Sequence, residues 1–186
     1  MPKTAIPLIT VASVSLLALG ACEQVTEPDR EPDPPETASD DLDIQPTGTV
    51  VEVRMIDVDG EPEEAPVQFE PRLITANVGD TIRFIPSSPD HEPASIATML
   101  PDGAQGFDAE PGEPVSYVVT EPGIYGVQCT PHYAAGSVGV IVVEDAGGNG
   151  GATRNLGSAR AADHPGRANP EFFEIFEEAD ERGLLD

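Results

Sequence analysis

Between residues 47 and 145 the apolar positions come in short runs, most of them four to eight residues long, separated by Gly, Pro and Asp. Val51, Val53 and Met55 alternate with Glu52 and Arg54, the period-two pattern of a strand with one buried face, so folded structure is expected to begin near Thr47. The turn signal Asp59-Gly60 ends that strand, and an acidic, Pro-rich loop runs from Glu61 to Pro66. Phe69 to Asn77 reads as the next extended segment. The turn Val78-Gly79-Asp80 leads from it into a strand from Thr81 to Ile85 in the manner of a hairpin. Residues 86–114 read mostly as loop, with turns at Asp102-Gly103 and Pro111-Gly112. Val115–Val119, Ile124–Gln128 and Val138–Val143 follow as strands, and Asp145 closes the set. Short strands spaced by such turns predict an all-β domain, an antiparallel sandwich or barrel. No internal repeat is visible.

Beyond Asp145 the period changes. Gly147-Gly148-Asn149-Gly150-Gly151 reads as a hinge, so residues 146–186 form a Gly-rich link and a helical segment. A short helix is expected from Asn155 to Asp163, before His164-Pro165-Gly166. A second is signalled by Asn169 as N-cap, Pro170 at the first helical position, Glu171 near the positive end and Gly183 past the last turn. Phe172, Phe173, Phe176 and Ala179 are placed on one face, expected to pack on the domain's own sheet rather than on a partner.

The N-terminus differs from both regions. Lys3 precedes an apolar stretch from Ala5 to Leu19 that ends in Leu19-Gly20-Ala21-Cys22, so residues 1–21 read as a signal peptide. The ending resembles a lipoprotein cleavage box, which implies that Cys22 is lipidated and begins the mature chain. Two or three acyl chains would hold it stably on a membrane. Residues 22–46 then carry the lipidated cysteine and an acidic, Pro-rich tract with almost nothing to bury, which predicts a disordered tether. At about 3.1 Å per residue it would reach roughly 75 Å.

The composition narrows the chemistry of residues 47–145. The chain has two cysteines and three histidines, and with Cys22 assigned to the anchor the soft donors left are Cys129, His91, His132 and His164. One thiolate and two imidazoles, His91, Cys129 and His132, form the trigonal donor set of a mononuclear copper site, normally completed by a weak axial Met. His164, in the tail, reads as a surface residue rather than a ligand. Zinc fingers and disulfide frameworks need more cysteines, and multicopper enzymes need more histidines. No Ser-His-Asp set appears, and the Gly run lacks the Lys of a phosphate-binding loop, so an enzyme is disfavoured.

Three blocks, FEPRLITANVGDTIRFIP from Phe69 to Pro86, MLPDGAQGF from Met99 to Phe107 and PGIYGVQCTPHY from Pro122 to Tyr133, resemble the pseudoazurin branch of the cupredoxins. The resemblance implies a Greek-key β-sandwich or barrel with two short C-terminal helices, and one copper ion passing between Cu(I) and Cu(II). By it His91, Cys129 and His132 match the equatorial ligands, and His132 lies in an apolar patch with Pro131, Tyr133, Ala134 and Ala135. Pro131 matches the motif and lacks an N–H that would otherwise point toward the sulfur. Two positions depart from the pattern. Ser137 stands where the family has its axial Met, eight residues after Cys129, as a doubtful ligand; Met99 aligns with a loop Met and is no obvious replacement. Glu92 replaces the Asn that usually ties the two ligand loops, and an ionised carboxylate has no donor for that task.

Charge is a third departure. Thirty-four acidic residues against nine basic ones give a formal charge of −25, and no lysine follows Lys3. Such a field repels nucleic acid and anionic lipid and steers basic partners. It also suits a salt-adapted proteome in which surfaces are generally acidic. The expected role is a monomeric one-electron carrier tethered at a membrane in the periplasm or another extracytoplasmic space. Its expected partners are redox proteins such as a basic c-type cytochrome or a terminal oxidase or reductase. The alternative is a copper module for buffering or delivery without redox turnover.

Overall fold

In a computed structural model, residues 46–58, 67–145 and 151–186 are described. The expected leader, Cys22, most of the tether, the Asp59-Gly60 turn, the Glu61–Pro66 loop and most of the Gly hinge lie outside the described residues.

Among the described residues, eight strands form two four-stranded sheets. The first contains β1 (Val50–Asp57), β2 (Val67–Glu70), β4 (Thr81–Pro86) and β6 (Val115–Val118), in the order β2-β1-β4-β6. The second contains β3 (Leu73–Asn77), β5 (Pro93–Ser95), β7 (Gly123–Cys129) and β8 (Val138–Glu144), in the order β3-β8-β7-β5. The inward residues of both sheets, among them Val53, Met55, Ile82, Phe84, Tyr125, Val127 and Ile141, make one apolar core. The aromatic rings of Phe84 and Phe107 stack within it at 5.2 Å.

The sheets are mixed. β1 runs parallel to β4 and β3 runs parallel to β8, which corrects the expectation of a purely antiparallel sandwich. The expected hairpin across Val78-Gly79-Asp80 is absent for the same reason, since β3 and β4 lie in different sheets. The turn chemistry was right and its use was not: Gly79 has φ 93°. The buried Asp80 carboxylate accepts the Asn77 N–H at 2.8 Å and the Thr47 hydroxyl at 2.7 Å. A tight turn of this kind serves a corner between sheets as well as a hairpin. The segment read as one piece from Phe69 to Asn77 is two strands, β2 and β3, one in each sheet. Within 86–114 the structure adds β5 and a short 3-10 helix, Ala97–Met99.

β8 is buried on both faces, as a continuous apolar run allows. Ile141 and Val143 enter the sandwich core, whereas Val138, Val140 and Val142 join a second core beneath α1 (Leu156–Ala161) and α2 (Ala168–Glu181). The tail therefore covers the domain's own sheet, as expected, with one correction of phase. The buried stripe of α2 is Phe172, Ile175, Phe176 and Ala179, spaced i, i+3, i+4, i+7, and Phe173 is 64% exposed. Asn169 is not the N-cap either: Arg167 holds that position, and Asn169 instead accepts the His164 N–H at 3.0 Å and donates to the His164 carbonyl at 2.8 Å. Asn155 is the residue before α1, and its amide bonds both the N–H and the carbonyl of Ile124 on β7.

Candidate metal centre

Two of the sequence-predicted donors, Cys129 and His132, meet at one end of the sandwich, with His91 beside them. His91 lies between β4 and β5, held at both ends of its peptide: its N–H donates to the Ser88 carbonyl at 3.3 Å and its carbonyl accepts from Gly112 at 2.7 Å. Cys129 is the last residue of β7, paired in register with Pro93 of β5. Directly after it the chain tightens into a 3-10 helix, Thr130–Ala135, with Pro131 at its start, and Gly136 at φ 98° ends it so that Ser137 can enter β8. His132 sits on that helix. Its carbonyl accepts the Ser137 N–H at 3.1 Å, and the Ser137 carbonyl accepts the Cys129 N–H at 3.0 Å. Cys129, His132 and Ser137 are thus fixed to one another by main chain alone.

The loops that carry His91 and Cys129 are also joined by backbone. Thr130 N–H donates to the Glu92 carbonyl at 2.9 Å, next to the β5–β7 pairing. The link expected to suffer from a carboxylate at 92 therefore does not need that side chain.

The donor atoms fit a soft metal. Cys129 Sγ and His132 Nδ1 are 3.4 Å apart. Two donors each about 2.0–2.3 Å from one tetrahedral ion would stand at about this separation. His91 is fully buried; its Nε2 donates to Asp57 Oδ1 at 3.0 Å, and its Nδ1 has no partner. A buried, unpaired ring nitrogen is costly in an apolar surround and is what a metal ligand presents before it is used. The His91 and His132 rings stand edge to face with centroids 6.3 Å apart. His91 flanks the Cys129–His132 pair rather than closing on it, and among the described residues no group of three or more His, Cys, Asp or Glu is gathered as a ready-made cluster.

Electrostatic effects on the Cys129 thiol pull in opposite directions. Burial pushes the Cys129 thiol above its ordinary value, and the nearby Glu92 carboxylate adds to that. Backbone N–H groups of Glu92 and His132, together with the Ser137 hydroxyl, work the other way and favour the thiolate. Metal binding would release the proton and use these donors. Ser137 is fully buried and its Oγ makes no hydrogen bond of ordinary geometry. Met99, also fully buried, packs in the second core, where its sulfur lies against Gly126, and does not substitute for an axial Met.

One sequence expectation is corrected at this end of the molecule. His164 is buried, not on the surface; its Nδ1 meets the Tyr133 hydroxyl at 2.6 Å and its ring packs on Phe172 with centroids 4.3 Å apart. Sequence reasoning also missed Asp57. No spacing signals it, because the parallel pairing of β1 with β4 brings it to His91 across 34 residues of chain.

The region that contains all of these residues has known relatives. The profile of copper binding proteins of the plastocyanin/azurin family matches residues 56–144. The pseudoazurin of Paracoccus pantotrophus is 39% identical over 106 residues, covering 57% of this chain and 69% of that protein. The chain belongs to the pseudoazurin family of cupredoxins. A second pseudoazurin, from Methylorubrum extorquens, is 33% identical over 96 residues, covering 52% of this chain and 61% of that protein. Among solved structures, the pseudoazurin of Methylobacterium extorquens AM1 superposes with a TM-score of 0.60 at 28% identity, over 69% of this chain and 98% of that one. The cofactor of this cupredoxin is one copper ion that passes between Cu(I) and Cu(II), and its class of function is electron carriage.

Proposed function

We propose that this cupredoxin is a one-electron carrier held on a membrane through lipidated Cys22, facing the periplasm or an equivalent space, with its copper bound by His91, Cys129 and His132 in a domain spanning residues 47–145. The observation that carries the ligand set is the unpaired, fully buried Nδ1 of His91, at the same end of the sandwich as the 3.4 Å pair of Cys129 Sγ and His132 Nδ1. When bound, copper supplies a one-electron couple that a thiolate and two imidazoles suit in both oxidation states. The protein's part is to hold those donors still. Main-chain bonds between Cys129, His132, Ser137, Thr130 and Glu92 do so.

His132 is only partly buried, and exposed Pro131 and Ala134 lie beside it, so electrons would enter and leave through its ring edge over a small apolar contact. Asp57 and Asp90 are exposed near His91, and Glu92 is partly so. With a formal charge of −25, this face suits a basic redox partner, a c-type cytochrome or the basic patch of an oxidase or reductase.

Titration of the purified protein with Cu(II) should give one equivalent bound, an intense thiolate charge-transfer band and a reversible voltammogram, with electron exchange to a small basic c-type cytochrome. Retention of stoichiometric, tight copper by Cys129→Ala would overturn the ligand assignment. One observation favours a second reading: Ser137 offers a hydroxyl where a thioether is expected. Tight Cu(I) binding without a reversible couple would make the protein a copper buffer or delivery module. Ser137→Met should lower the potential of a carrier whose axial position is open, and an unchanged value would show that another group already fills it.

A further inference from the structure

His91 has two nitrogens in opposite circumstances. Nδ1 is buried and unpaired, while Nε2 lies 3.0 Å from Asp57 Oδ1. A carboxylate accepts and does not donate, so Nε2 carries the ring hydrogen and Nδ1 keeps its lone pair. The ring is fully buried, but the Asp57 side chain is 62% exposed. One negative charge therefore sits at the surface, hydrogen-bonded to the far side of a buried imidazole.

The placement is built rather than incidental. Asp57 ends β1, and the parallel register with β4, Met55 opposite Pro86, keeps the two chains side by side as they leave the sheet. Ser87 N–H donates to the Met55 carbonyl at 3.0 Å, and Ser87 Oγ donates to Asp57 Oδ2 at 3.3 Å. One carboxylate oxygen is thus held by Ser87 and the other faces His91.

We propose that Asp57 is a positioning residue for the copper reaction, fixing the His91 tautomer so that Nδ1 faces the metal and, through its charge, holding the reduction potential down. The inference rests on His91 being a ligand, as proposed above. A carboxylate hydrogen-bonded to a ligating imidazole orients the ring and makes it a stronger donor. Nearby negative charge stabilises the more highly charged Cu(II) over Cu(I). Ser137 supplies no thioether to do the same from the axial side, so the Asp57 charge, acting beside that of Glu92 near Cys129, favours the oxidised form.

The test separates charge from hydrogen bond. Asp57→Asn keeps an acceptor and removes the charge; Asp57→Ala removes both; Asp90→Asn removes a nearby exposed carboxylate that bonds no histidine in the structure. The wild type and all three variants are compared for copper stoichiometry, charge-transfer spectrum and potential. Asp57→Asn should keep the spectrum and raise the ratio of Cu(I) to Cu(II) affinity about tenfold, about 59 mV for one electron, with a clearly smaller change for Asp90→Asn. In the copper-free protein, nitrogen NMR should show His91 as the Nε2–H form in wild type and Asp57→Asn, and as a mixture of tautomers in Asp57→Ala. Equal shifts for Asp57→Asn and Asp90→Asn, or no shift in either while copper stays bound, would overturn the proposal. So would an unchanged tautomer in Asp57→Ala. Failure of the wild type to bind copper would instead remove the ligand assignment and this inference with it.

Discussion

Replacing Ser137 by alanine should make the copper-free protein more stable, against the usual result of truncating a fully buried side chain. The Ser137 side chain is wholly inaccessible and its Oγ makes no hydrogen bond of ordinary geometry, acting only as a weak donor toward Cys129 that gains strength when the thiol ionises. A buried polar group left unsatisfied costs about 1–3 kcal/mol. Deleting the oxygen relieves that cost and leaves a space the size of one heavy atom, worth about 0.3 kcal/mol at roughly 24 cal/mol per Å³. The Ser137 main-chain bonds to Cys129 and His132 do not involve the side chain and remain. The net expectation is about 1 kcal/mol of added stability, about 2–4 °C in Tm. Thermal unfolding of metal-free protein, followed by circular dichroism or calorimetry, measures it. The same substitution removes one of the groups that favour the Cys129 thiolate, so the thiol should rise further above its ordinary value, seen by thiolate absorbance across an alkaline titration. A fall in Tm of similar size would refute the reasoning, because it would mean that the hydroxyl already has a partner worth keeping.

Two further outcomes follow from the tail. Burial holds the His164 imidazole below its ordinary value, with Asp163 opposing, so the folded protein resists a proton that the unfolded chain accepts. Its stability contribution is fully present above about pH 6.5 and is lost as pH falls below that. Denaturant midpoints between pH 7.5 and 5 should therefore fall less steeply for His164→Gln than for wild type, and parallel curves would refute the burial argument. On α2, Phe172→Ala should cost about 3–5 kcal/mol by removing a ring that is 2% exposed. Phe173→Ala, at a position 64% exposed, should stay within about 0.5 kcal/mol. Equal losses at the two positions would return the helix to the phase its aromatic residues suggest.

What the sequence made legible divides by whether a feature is local. Strands with one buried face, such as β1 with Val53 and Met55 inward, announce themselves by alternation, and Cys129, His132 and Ser137 are bound together within nine residues, so they could be read as a unit. Three phenylalanines at 172, 173 and 176 mask the phase of the helix, which is set by Ile175, whose spacing from Phe172, Phe176 and Ala179 is the better match to one face. The Asn169 signal was genuine hydrogen-bonding capacity spent elsewhere, on the peptide of His164. The mixed sheets were illegible, because a Gly-Asp turn carries no information about whether the strands it joins share a sheet. Asp57 was hidden by the same fact, since only the parallel β1–β4 register places it at His91.

The tail also explains how so short a loop around His132 can be held. A 3-10 helix of six residues has few bonds of its own, yet His132, in the ligand role proposed for it, must not move when one electron arrives. Besides the bonds of this helix to Ser137 and Glu92, further anchors come from beyond the sandwich. Arg167 N–H donates to the Ala134 carbonyl at 2.9 Å, His164 bonds the Tyr133 hydroxyl at 2.6 Å, and a side chain on Gly166 would collide with the Ala134 carbonyl. Glu171 and Arg167 close over Gly136, and Arg72 pairs with Glu171 at 3.4 Å, linking the start of α2 to the start of β3. The apolar seal between α2 and β8 supplies the stability that these partly exposed ion pairs do not. The second core therefore does for His132 what the backbone ladder does for Cys129, and the rigidity that electron carriage demands is divided between a sheet and a tail that carries none of the proposed ligands.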